Sequence, residues 1–280
     1  MTLRSLYYKL TPQQRLWARK ITYLPIDLYQ KWFNPRDEPV PPKGDIYTGP
    51  GDFLAIGETQ VAQLQKYLDL QADDAVLDIG SGIGRTALPL TKYLNDKGSY
   101  RGFDVVEKGV RWCKNNISNR YPNFDFTYVP LHNDLYNDAA GRASEFTFPY
   151  RSGQFDKAFL FSVFTHLMVE EIDNYLGEID RVLKPSGSCL ATFFLYNEEN
   201  QDSISTQEGF QFPCIREGYR LLDAEVKSAN IAIAEDILQQ MLAGKNLTVD
   251  RIVEGYWKAH VDKTGDNDFQ DMVILKRVGL

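Results

Sequence analysis

Cysteine is scarce in this 280-residue chain: Cys113, Cys189 and Cys214 are odd in number and far apart, and no CxxC pair occurs. That spacing offers neither a zinc ligand set nor a disulfide framework, so no metal site is expected and a reducing, cytoplasmic setting is. Long apolar runs are also missing. No stretch reaches the roughly 18 residues that cross a bilayer, and the N-terminus lacks the apolar core of a signal peptide. Basic residues are in the minority, 31 Lys and Arg against 38 Asp and Glu for a net charge of −7. An acidic balance argues against general nucleic-acid binding, so no nucleic-acid partner is expected. Histidine is limited to His132, His166 and His260, which leaves few places for imidazole chemistry.

What is present is an ordinary globular composition, 43% hydrophobic and 25% charged, enough apolar residue for a core without covalent staples. The basic residues concentrate at the start: residues 1–35 hold six Lys or Arg and one acid. There Thr11-Pro12-Gln13-Gln14 is a capping-box helix start. The helix that follows puts Trp17, Ile21 and Leu24 on one face, and Pro25 should end it. Two placements fit such a helix. It can fold over the domain with its aromatics in the core, the commoner arrangement, or lie on the inner face of a membrane. Prolines 35, 39, 41, 42 and 50 with glycines 44, 49 and 51 then forbid regular structure. Residues 1–46 therefore read as a basic, partly helical extension with a proline-rich linker, and 47–280 as one domain.

From there strands and helices alternate: strands near 76–79, 100–104, 124–129, 155–161 and 188–195, helices near 57–70, 85–95, 107–120 and 169–183. Pro89 sits awkwardly inside the second of these helices. Alternation predicts βαβ units with right-handed crossovers and a mainly parallel sheet. Polar insertions interrupt the pattern near 131–152 and 197–230. After a helix near 234–242, strands near 247–254 and 269–276 follow one another directly and should pair antiparallel.

The chemistry sits at Val76-Leu77-Asp78-Ile79-Gly80-Ser81-Gly82-Ile83-Gly84-Arg85, a buried strand running into a glycine turn and then a helical pattern. Glycines there let a ligand approach backbone N–H groups. The dinucleotide fingerprint needs G-x-G-x-x-G, whereas this turn is G-x-G-x-G with an acid two residues ahead of it. Asp78 is a poor neighbour for a pyrophosphate and a good one for an ammonium group. Twenty residues past Gly84, Asp104 can accept the two hydroxyls of a ribose. A nucleoside with an amino-acid tail satisfies both acids, and S-adenosylmethionine is that molecule. A nicotinamide-dependent oxidoreductase is the remote alternative.

The chain resembles the class I S-adenosylmethionine-dependent methyltransferases across about residues 47–276. Val76 to Arg85 matches the first motif of that family and Gly102-Phe103-Asp104-Val105 the second. Phe155-Asp156-Lys157-Ala158-Phe159-Leu160 matches the fourth-strand motif, and Arg181-Val182-Leu183-Lys184-Pro185-Ser186-Gly187 the lead into the fifth strand. The resemblance implies a Rossmann-like, doubly wound α/β fold with seven strands, the last antiparallel. It also implies that Gly80, Ser81, Gly82 and Gly84 line the methionine portion, with Asp78 at its amino group. Asp104 would take the ribose, Val105 the adenine side, and Ser162 and Val163 the methionyl chain. Tyr47, Gly49 and Phe53 would cover the cofactor. Relatives place an acid after the third strand, where this chain reads Pro130-Leu131-His132-Asn133-Asp134, so Asn133 or Asp134 is the candidate there.

Methyl transfer to a hydroxyl is helped by a base. His166, in Ser162-Val163-Phe164-Thr165-His166-Leu167, is the candidate, against the plainer reading that Thr165 or His166 caps the next helix. Tyr196, after the fifth strand, could wall an acceptor pocket. The expected function is methyl transfer to a small-molecule or saccharide acceptor, including a lipid-linked glycan. The contrasting one is a non-catalytic S-adenosylmethionine-binding protein whose basic N-terminus docks a partner or membrane.

Overall fold

The computed structural model describes residues 11–34, 38–133 and 136–279. Helix α1 spans Pro12–Phe33. Its capping box is formed: Gln14 N donates to Thr11 Oγ1 at 3.2 Å and Thr11 N to Gln14 Oε1 at 2.9 Å. Pro25, expected to end the helix, lies inside it. The lost hydrogen bond falls on exposed Ile21, whose carbonyl can turn to water. The chain on both sides of Pro25 is tied to one short turn, Lys43–Asp45. Before it Lys20 pairs with Asp45 at 3.6 Å; after it the Asp27 carboxylate accepts from Lys43 N at 2.6 Å and Gly44 N at 3.0 Å.

The stripe of Trp17, Ile21 and Leu24 does not enter the core. These side chains are 68%, 68% and 53% exposed. The membrane contact expected of residues 1–35 finds no support either. Three of the four basic groups of α1 are engaged by protein, with Arg15 buried, Lys20 paired and Arg19 over the Tyr23 ring at 5.1 Å, while Lys31 is exposed. No helix among the described residues is long and apolar enough to cross a membrane.

Helix α2, Phe53–Leu68, begins where the Asp52 side chain accepts from Ala55 N at 2.9 Å. It buries Val61, Leu64 and Leu68 at helical spacing. Then come β1 (Ala75–Ile79), α3 (Ala87–Tyr93), β2 (Ser99–Asp104), α4 (Glu107–Cys113), β3 (Phe124–Tyr128) and two short strands, β4 (His132–Asn133) and β5 (Asn137–Asp138). Pro89 is the third residue of α3, where its missing N–H costs no helical bond. Strand β6 (Phe155–Leu160), α5 (Val169–Val182), β7 (Leu183–Phe193), β8 (Leu195–Tyr196), β9 (Cys214–Arg216), β10 (Tyr219–Leu221), β11 (Ile231–Ala234), α6 (Glu235–Leu242), β12 (Leu247–Val253) and β13 (Asp271–Arg277) complete the order.

Seven strands make one sheet in the order β12-β13-β7-β6-β1-β2-β3. Pairs β1–β6, β6–β7 and β2–β3 are parallel, while β13 runs antiparallel to both β7 and β12. This is the expected sheet, with its antiparallel last strand. Lys184-Pro185-Ser186-Gly187 bulges out of β7: Phe155 of β6 pairs with Leu183, and Lys157, two residues on, with Ser188.

The chain divides into two compact units. One takes the described residues up to Asp74 together with Gly80–Ala140; the other takes Ala75–Ile79 and everything from Gly141 on. In the second unit the stretch 197–230, polar in sequence, holds β9 and β10. They join β8 and β11 in a four-stranded sheet, β8-β11-β10-β9. Phe194, Tyr196, Ile204, Phe212, Ala232 and Trp257 form its buried core.

Candidate active site

In the first unit the glycine turn is held open by backbone geometry. Gly80, Gly82 and Gly84 have φ of +79°, +58° and +80°, a region that disfavours side chains. Gly80 N and Ser81 N both donate to Phe103 O, at 2.9 and 3.0 Å, which pins the turn to β2. At the end of β2, Asp104 closes the arrangement. Its Oδ2 accepts from Gly82 N and its Oδ1 from Val106 N, both at 2.8 Å. The Tyr47 hydroxyl and the Val105 N–H also favour its ionised form, and a ligand hydroxyl would meet its remaining lone pairs. Burial outweighs these hydrogen bonds and pushes the Asp104 carboxyl up to about 6.

The hydroxyls of Thr48 and Ser81 around this turn are buried without partners, and that of Tyr47 is buried against the Asp104 carboxylate. Burial first, and the Asp104 charge second, hold the Tyr47 phenol well above its ordinary range. Gly109 leaves room for Tyr47, since a Cβ there would meet its hydroxyl and also Gly82 O at 2.6 Å. Two orphaned hydroxyls around an acid and a glycine turn fit a polar ligand such as a nucleoside with an amino-acid tail.

The other first-unit candidates are near by in different roles. Gly49 has φ +94°, and its carbonyl accepts from Arg85 Nη2 at 3.2 Å. Burial and, second, the charge of Arg19 lower the Arg85 guanidinium to about 10. Phe53 is buried in the first turn of α2, with the Arg85 guanidinium 5.8 Å from its ring centre. Val105 is anchored through its carbonyl by Asn137 Nδ2 at 2.9 Å. Asn133 is buried and pairs in β4 with Asn137. Asp134 lies outside the described residues. Sequence reading missed Asn137 and Tyr136, whose ring is 6.2 Å from that of Tyr47, because both sit in a polar excursion with no periodicity.

The remaining candidates belong to the second unit. Asp78 is buried in β1 opposite Phe159 of β6. Ser162, just past β6, takes φ +57°, unusual for a side-chain-bearing residue. Its N–H donates to Thr192 Oγ1 at 2.7 Å and its hydroxyl to Gln270 Oε1 at 3.0 Å. Val163 precedes the short turn Phe164–His166. Neither Thr165 nor His166 caps α5: its N-terminus is closed by Glu171, whose carboxylate accepts from Met168 N at 2.7 Å. His166 Nδ1 instead lies 2.7 Å from Ser228 O. A carbonyl only accepts, so Nδ1 carries the proton and Nε2 is the basic nitrogen of the neutral ring. Burial lowers the imidazole below its ordinary range, against the opposing pull of the Ser228 and Ala229 backbone.

Residues 77–191 match the family model described as a methyltransferase domain. Residues 77–191 carry that methyltransferase domain. Its cofactor is S-adenosylmethionine, which Asp104 and the buried hydroxyls of the turn fit. Solved structures share this fold. The PH0226 protein from Pyrococcus horikoshii has a TM-score of 0.56 at 16% identity, covering 89% of this chain and 98% of its own. Geranyl diphosphate C-methyltransferase from Streptomyces coelicolor gives 0.53 at 11%, covering 80% and 81%. At those identities the likeness is one of fold.

Curated relatives of the methyltransferase domain are named 23S rRNA (uracil(1939)-C(5))-methyltransferase RlmD. The protein from Yersinia enterocolitica is 29% identical over 115 residues, 40% of this chain and 23% of its own length. That from Pseudomonas fluorescens is 34% identical over 90 residues, 31% and 20%. The chain thus spans about a fifth of the length of these relatives. They overturn the expectation that nucleic acid is no partner, which rested on net charge. Net charge averages over the whole surface and says nothing of the local groups that meet a substrate.

Proposed function

We propose that this protein transfers a methyl group from S-adenosylmethionine to a hydroxyl of a small-molecule or glycan acceptor, lipid-linked glycans included. When bound, the cofactor supplies an electrophilic sulfonium methyl. The protein then has to orient the donor, exclude water and take a proton from the acceptor. The observation that carries the hydroxyl reading is His166. Its ring is neutral at pH 7, its tautomer is set by the Ser228 carbonyl, and it follows β6 by a few residues, at the carboxyl end of a parallel strand where α/β sheets bind ligands. Gly80 to Gly84 and Asp104 would hold the cofactor.

The test is incubation with methyl-labelled cofactor and separated cell fractions: metabolites, envelope glycans and total RNA. Label in the metabolite or glycan fraction, abolished by His166→Ala while cofactor binding persists, is the expected result. The names of the curated relatives favour a second reading, an RNA acceptor. Label confined to the RNA fraction would replace the first reading with the second, and full activity in His166→Ala would remove His166 as the base.

A further inference from the structure

We propose that Arg220 is an anion-recognition residue, so that the acceptor bears a carboxylate or phosphate group. This rests on the reading above that His166 takes a proton from the acceptor. Arg220 lies on β10, opposite Ala232 of β11, and so shares the face that packs on Phe194, Tyr196, Phe212 and Trp257. Its side chain is 5% exposed. For a guanidinium that is an expensive position, because removing a charge from water costs several kcal/mol unless an opposite charge repays it.

No opposite charge does so. Among the described residues Arg220 makes no ion pair. Its Nη1 donates to Ser205 Oγ, a neutral partner whose own hydroxyl donates to Phe212 O at 3.2 Å. The guanidinium carbon stands 5.1 Å from the centre of the Tyr196 ring. The Nε–H is buried and has no acceptor at all. A guanidinium held by the Tyr196 ring and phenol and by the Ser205 hydroxyl, with a buried Nε–H left unpaired, has the fork that a planar or tetrahedral oxyanion pairs with.

The place fits an acceptor. Tyr196 ends β8, three residues past the carboxyl end of β7. Strand β11, the hydrogen-bonded neighbour of β10, also touches the Phe164–His166 turn, as does the Lys227–Ala229 turn that supplies the Ser228 carbonyl. The small sheet therefore carries the unpaired cation, and the turn between its strands β10 and β11 sets the tautomer of His166. An acceptor anchored by its anionic group on Arg220 would be oriented by the same element that positions the base.

The experiment titrates the full chain with sodium phosphate or sodium acetate at ionic strength held constant with sodium chloride, reading the melting temperature and heat of binding. S-adenosylhomocysteine binding is measured on the same samples. Wild type is expected to show a saturable, millimolar stabilisation by phosphate, acetate or both. The more effective anion names the acceptor group. Arg220→Met should lose that response at least tenfold while melting at or above the wild-type temperature without anion, as apolar replacements of buried charges commonly do. If Arg220→Met does not fold, the titration is read on Arg220→Lys, which keeps charge without the fork and should respond at least fivefold more weakly. No saturable response in wild type, or an equal one in the variant, overturns the proposal. Intact S-adenosylhomocysteine binding in that case leaves the methyltransferase reading standing.

Discussion

Lowering the pH from 7 to 5 should weaken S-adenosylhomocysteine binding while stabilising the free protein. Both effects come from Asp104. Its carboxyl is pushed up to about 6 by burial, even though Gly82 N and Val106 N each donate to it at 2.8 Å. Ribose hydroxyls donate to the ionised form, so the complex favours loss of the proton. At pH 5 about one Asp104 in eleven is ionised in the free protein, and affinity should be about tenfold below its plateau above pH 7, or about 1.4 kcal/mol. For stability the sign reverses. A carboxyl raised above its unfolded value binds protons more readily when folded, so stability falls as pH rises between about 4 and 6. The whole change is up to about 3 kcal/mol. S-adenosylhomocysteine suits the measurement because it carries no sulfonium to be repelled by a protonated histidine. Calorimetry at pH 5 to 8 in two buffers of different ionisation enthalpy reads both affinity and proton release. Asp104→Asn should bind weakly at every pH and lose the slope. Affinity that stays flat from pH 5 to 8 without proton release refutes the reasoning.

Other perturbations test other parts. Methyl transfer by the wild type should be constant above neutrality and fall as pH drops through the lowered His166 value; His166→Ala should cost about 10²- to 10⁴-fold in kcat without changing S-adenosylhomocysteine affinity, and an unchanged kcat rules the base out. Gly109→Ala should push Tyr47 and the Gly82 carbonyl apart and weaken cofactor binding more than it lowers the melting temperature, as paired titration and thermal melts would show. Asp271 is fully buried, pairs with buried Lys258 at 3.1 Å and accepts from Leu195 N, Gly255 N and Trp257 Nε1. Asp271→Ala should destabilise the protein by about 3 kcal/mol or more in urea unfolding. Ile21→Ser should leave the urea midpoint within about 0.5 kcal/mol of wild type, since Ile21 is exposed; a larger loss would mean the α1 stripe is packed.

Where periodicity and turn chemistry were strong, sequence was enough. The α5 stripe, the β1 glycine turn and the hairpin-forming β12 and β13 all took the form that their residues imply. The acid at Asp104 was legible because its distance from the turn has a chemical meaning. Pro25 was misleading because propensity is local, whereas Lys20 and Asp27 hold α1 to residues 43–45 from both sides of the proline. The exposed Trp17 face was misread for a related reason: an amphipathic pattern shows that a face is apolar, and not what covers it. The sheet containing β9, β10 and β11 was invisible as strands because these are three or four residues long, too short for alternation to register. The Ser228 carbonyl that fixes the His166 tautomer, and the Asn137 amide on Val105, are long-range contacts with no local signal at all.

The central claim is that the turn from Gly80 to Gly84, closed by Asp104, holds S-adenosylmethionine. Equilibrium titration of wild type and Asp104→Ala with S-adenosylmethionine, and of wild type with NAD, tests it most directly. Micromolar binding of S-adenosylmethionine, weakened about tenfold or more by Asp104→Ala, with NAD not competing, is the predicted result. Equal affinity in Asp104→Ala, or preference for NAD, would contradict the account.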